Sequence, residues 1–77
     1  MNKARRRQLE KVVEVLTAQM EELETIKDEE QEAFDNLPEG IQCTERGETI
    51  DANVDELDSI ITDLENVIDS INEVIEK

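Results

Sequence analysis

Few side chains in this sequence could do chemistry. Cys43 is its one thiol, and His, Tyr and Trp are absent. A nucleophilic cysteine needs an activating base, and no imidazole exists here to supply one. Cys43 therefore reads as a small turn residue, with a reactive or lipid-modified thiol as the alternative. Carboxylates are abundant instead, with 22 Asp and Glu against 8 Lys and Arg and a formal charge of −14. Abundance is not a site, and Asp28, Glu29, Glu30 and Glu32 read as a solvated face. The stretch from Asp35 has Gly40 where a calcium loop has its glycine, but Leu37 and Arg46 occupy positions that must supply oxygen ligands. No metal and no other cofactor is expected, and with no nucleophile–base pair an enzyme is not expected either.

What remains is charge. Lys3, Arg5, Arg6, Arg7 and Lys11 crowd the start, while Val12 to Glu76 hold 21 acids against Lys27 and Arg46. Such a body repels nucleic acid and anionic lipid and attracts basic surfaces. A basic-surfaced protein is the expected partner, with no direct nucleic-acid binding and no membrane contact. Ten acids separate Arg46 from Lys77 without a base between them. Asp55, Asp58, Asp63 and Glu65 are taken to represent this strip, which could imitate a phosphate backbone. The basic cluster is expected to pair across a helix end, Arg7 and Lys11 with Glu73 and Glu76.

The elements that carry these charges follow from apolar spacing. Ile50, Val54, Leu57, Ile61, Leu64, Ile68, Ile71 and Ile75 alternate steps of four and three, a seven-residue repeat. Leu9, Val13, Leu16, Met20 and Leu23 keep the same rhythm, and Phe34 and Leu37 resume it after Lys27 and Glu30 fall on the seam. Those two read as a local rotation of the helix, or alternatively as a polar layer that sets register. Between the two runs lies NLPEGIQCTERGET, with the sole Pro and both Gly. Pro38 disfavours helix at Leu37, Gly40 suits a tight turn, and Thr44 is a candidate N-cap before Glu45. Gly47 reads as a weak point in the second helix.

The expectation is an all-α, single-domain antiparallel hairpin, with helices over about 3–36 and 45–76 joined by a turn at 37–44. Paired residue numbers summing to 84 align the apolar layers, Phe34 with Ile50 and Leu9 with Ile75 among them. A flanking column, Ile60, Val67 and Val74 with Val12 and Ile26, is left wet by two helices alone. A 77-residue chain is too small to leave it so, and dimerisation into a four-helix bundle would cover it.

The run NLPEGIQCTERGE ahead of an acidic aliphatic helix resembles a group of small acidic proteins encoded by phages and prophages of Gram-positive bacteria. In that group a DEEQEA-type helix end precedes an NLPE or NMPE turn and a (S/T)-E-R-G-E segment. The matching pieces here are Asp28–Ala33, Asn36–Glu39 and Thr44–Glu48. The resemblance covers most of the chain and implies a phage origin, but no activity. The cytoplasm, of a bacterial host if the chain is phage-encoded, is the expected location, since no run reads as a membrane span or signal-peptide core and a lone Cys fits a reducing compartment. The functional expectation is a non-enzymatic module that binds or inhibits a basic-surfaced protein. The alternative is a self-assembling coiled-coil element whose acidity only keeps it soluble. Arg46, with Leu37 and Ile41, is either a recognition tip or an internal salt bridge of the turn.

Overall fold

A computed structural model describes residues 1–77. It is entirely helical in its regular structure, with α1 over Lys3–Asp35, α2 over Glu39–Gln42 and α3 over Glu45–Glu76. The chain turns back on itself, so that α1 and α3 pack along their length. The hairpin measures 59 × 15 × 12 Å, with a radius of gyration of 17.5 Å. A compact chain of this length would have a radius near ~11–12 Å. Two long helices side by side cannot close a globule, because each has only one neighbour.

Local chemistry sets the ends of the elements. The Asn2 side chain accepts a hydrogen bond from the Arg5 amide at 2.8 Å and caps α1. No acid lies in that first turn, and its bases oppose the helix dipole. Asp35 is the last residue of α1, and its cap Asn36 donates to the Glu32 carbonyl. Pro38 then starts a single helical turn, its carbonyl accepting from Ile41 at 2.8 Å and Gln42 at 3.0 Å. The expected open turn at 37–44 is thus partly helical. Gly40 sits inside this turn without a positive φ and with no atom near the place of a side chain. Its freedom is not what bends the chain. Thr44 occupies the N-cap of α3 in extended conformation, but its hydroxyl donates back to the Ile41 carbonyl rather than capping. Glu45 and Glu48 supply the favourable negative charge of the first turn.

The seam between the helices follows the seven-residue repeat. Ile61 and Ile68 are buried, at 7% and 8% exposure. Leu9, Val13, Leu16, Met20, Leu23 and Phe34 of α1 are half-buried, as are Ile50, Val54, Leu57, Leu64, Ile71 and Ile75 of α3. Lys27 and Glu30 keep their seam positions and are half-buried too. Each bonds across to α3: Lys27 Nζ lies 3.2 Å from Asp58 Oδ1, and Asn53 donates to Glu30 Oε2 at 3.1 Å. The numbering rule would oppose these two to Leu57 and Val54, one residue away in each case. The two polar contacts therefore fix the same register as the apolar layers. They form a polar layer between the helices, and the local rotation that would carry both heads into water does not occur.

Candidate interaction surfaces

A hairpin of two helices has two long sides, and here they differ. On α3, Ile60 and Val67 each stand one residue before a buried seam isoleucine, and Val74 stands one before Ile75. On α1, Val12 and Ile26 stand one residue before Val13 and Lys27. Reversing one helix relative to the other puts these two flanking columns on the same side of the hairpin. The five residues are 42–49% exposed, as expected of side chains that lean on the seam without being covered. Shallow open grooves run beside the α3 column. One, of about 380 Å³, is lined by Asn66, Val67, Ser70, Ile71 and Val74. The other is lined by Asp55, Glu56, Ser59 and Ile60. Val15, at 60% exposure, is a further solvent-facing apolar residue that the repeat did not single out, since it falls outside both the seam and its flank.

The residues one position after the seam form the opposite side. They are Glu10, Thr17, Glu24 and Gln31 on α1, with Asp51, Asp58, Glu65 and Asn72 on α3. This side is polar throughout, with five acids and no base among these eight residues. The four acids taken to represent the strip do not share it. Asp58 and Glu65 belong to it, Asp55 points outward, and Asp63 lies toward the apolar side. At 3.6 residues per turn they span about 160° of the helix. The acidic surface is therefore a broad wrap around the outside of α3 rather than a line. All four are exposed, and one oxygen of Asp58 is already held by Lys27.

The open end of the hairpin departs from expectation. Lys27–Asp58 is the one ion pair within 4.0 Å, so Arg7 and Lys11 do not pair with Glu73 and Glu76. The reason is angular. All four occupy outward positions of the repeat, so they project away from the facing helix. Arg6 instead extends the seam beyond Leu9 and is half-buried, its Nε shielded from solvent without a hydrogen-bond partner. Its aliphatic stem suits that position, since long basic side chains cover apolar surface well.

The turn is held by two residues that sequence reasoning missed or misjudged. The Gln42 amide donates to the carbonyls of Phe34 and Leu37, both at 3.2 Å, adding a second bond to the Phe34 carbonyl, which also accepts from the Leu37 amide, and tying Leu37 beyond α1 to the turn. Gly47 is buried against the backbone of the same residue. A Cβ there would lie 2.2 Å from the Gln42 carbonyl oxygen and 2.6 Å from its carbon. The glycine is thus a requirement of close approach and not a weak point. Leu37 is half-buried, whereas Ile41, Cys43 and Arg46 are exposed. Arg46 makes no ion pair with Glu39, Glu45 or Glu48, so the internal salt bridge of the turn is not formed.

No three His, Cys, Asp or Glu side chains are placed to hold a metal ion together. No helix is long and apolar enough to cross a membrane. No family model, curated protein or solved structure matches the chain.

Proposed function

We propose that this chain is a non-enzymatic interaction module, a hairpin that self-associates through its apolar side and offers its acidic surface to a basic-surfaced protein. The observation that carries the reading is the division of labour between the two sides. One leaves Val12, Ile26, Ile60, Val67 and Val74 open to water, and the other is polar along its whole length with acids and no base. Among the carboxylates only Asp58 is engaged in an ion pair, and Glu30 and Asp35 accept hydrogen bonds from Asn53 and Gln31, so most of the rest are free to meet cations from outside. A dense unpaired array of this kind attracts a surface built for phosphates and competes for it. The resemblance to phage and prophage proteins supports a setting inside an infected bacterium, where the target would be a host or phage protein with a nucleic-acid groove.

Self-association completes the fold. The hairpin exposes 5,800 Å², about 1,000 Å² more than a folded monomer of its mass. A standard interface buries about 800 Å² on each partner. Two hairpins packed as a four-helix bundle would therefore remove the excess.

The test is competition. A tagged chain should retain a basic protein from host lysate at low salt and release it to duplex DNA or to raised salt, because ion-pair binding is screened. A variant with Asp55, Asp58, Asp63 and Glu65 changed to Asn or Gln should retain none. Retention that neither DNA nor salt disturbs would contradict charge mimicry. The open apolar side favours that second reading, a structural element that assembles by hydrophobic contact alone.

A further inference from the structure

The hairpin is charged unevenly along its length as well as around it. The open end is formed by residues 1 to 11 with residues 73 to 77 opposite them, and together they hold six bases and three acids. Residues 28 to 51, which form the turn end, hold nine acids and one base. Opposite charges therefore sit at opposite ends of a rod 59 Å long. Within one chain they do not meet, since Arg5, Arg7 and Lys11 have no ion-pair partner. Arg5 stands seven residues before Val12, in the same flanking column, and so borders the apolar side.

We infer that two copies pack apolar side to apolar side and antiparallel, with the basic open end of each beside the acidic turn end of the other. This rests on the self-association proposed above and adds its direction. A parallel pair would set the net basic open ends against each other and the acidic turn ends against each other, and would place Arg5 of both copies at the same edge of the interface. The antiparallel pair exchanges those repulsions for attractions; both arrangements are isologous two-fold contacts, so charge order decides between them. The occupant is a second copy because the excess exposed area matches one partner's share of a stable interface, and because its charge order is complementary only when reversed.

Cys43 makes the direction measurable. It is the only cysteine, it is exposed, and it lies at the turn. The exposed apolar residues centre roughly 20 residues from the turn, or about 30 Å at 1.5 Å per residue. Nitroxide labels on Cys43 in the antiparallel dimer should then be separated by about 60 Å in pulsed electron–electron resonance. A separation below about 25 Å would place both turns at one end and overturn the antiparallel arrangement while leaving self-association intact. Absence of any intermolecular distance, with a monomeric mass, would overturn both. The double change Ile60→Asp with Val67→Asp should remove the long distance while helical circular dichroism is kept. A long distance that survives it would show that the copies meet elsewhere and would likewise overturn the inference.

Discussion

At the turn, the Gln42 amide holds the carbonyls of Phe34, in the last turn of α1, and Leu37, just beyond it, while Gly47 lets the Gln42 backbone lie directly on α3. Along the apolar side, Val12, Ile26, Ile60, Val67 and Val74 face solvent with almost half of their surface. One region is completed by the chain itself, and the other is not. The stretch that looks unusual in sequence, with its Pro, Gly and Cys, holds the contacts that close the turn. The regular stretch, which looks like generic heptad, carries the unfilled surface. Irregular sequence marks places where the backbone has to be specified residue by residue. An exposed apolar surface can be as periodic as a core.

Substitutions in the two regions should separate along these lines, in order of expected size. Changing Ile60 and Val67 together to Asp should leave helical content and the hairpin intact. It should weaken self-association about 1,000-fold, or about 4 kcal/mol, since carboxylates would have to be buried without partners. Sedimentation over a concentration series reads this directly, and an unchanged dimer would place the interface elsewhere. Gly47→Val should instead cost about 3 kcal/mol of folding stability, measured by thermal or denaturant unfolding. Alanine at the same position tests the cause more finely. A helix gains up to about 1 kcal/mol from Gly→Ala, but here the added Cβ meets backbone that cannot rotate aside, so a net loss is expected. A stabilised Gly47→Ala variant would show that α2 yields easily.

Gln42→Ala removes two hydrogen bonds to the end of α1 and should cost about 1–3 kcal/mol, with the oligomeric state unchanged. Arg46→Ala should do least. With no ion pair to lose, stability should change by no more than about 0.5 kcal/mol. Binding of the acidic surface to its partner should be equally unaffected. A selective loss of binding in this variant would move the working site from the acidic surface to the tip formed by Leu37, Ile41 and Arg46.

The sequence made the two long helices legible because the spacing of Ile61, Leu64, Ile68 and Ile71 repeats with the period of a packed helix. The same period separated seam from flank, which is why Ile60, Val67 and Val74 could be distinguished from their neighbours. The turn could not be read this way. Gln42 bonds to Phe34 and Leu37, and its backbone meets Gly47, through contacts that obey no period. Gly40 and Gly47 are chemically identical in sequence, yet one faces open space and the other a carbonyl 2.2 Å from where its Cβ would be. Charge misled where angle was ignored. Arg7, Lys11, Glu73 and Glu76 are near in level but outward in direction, and the acids of α3 follow the chain without following one line. Lys27 and Glu30 were visible as interruptions, but their partners Asp58 and Asn53 emerge only from the helix-to-helix register.

The central claim is that the hairpin is half of a larger helical assembly. Its most direct test is the mass in solution, by light scattering across micromolar concentrations. Twice the 8.8 kDa chain mass is predicted, with a thermal transition that shifts upward as concentration rises. A strict monomer that melts cooperatively at a temperature independent of concentration would contradict it.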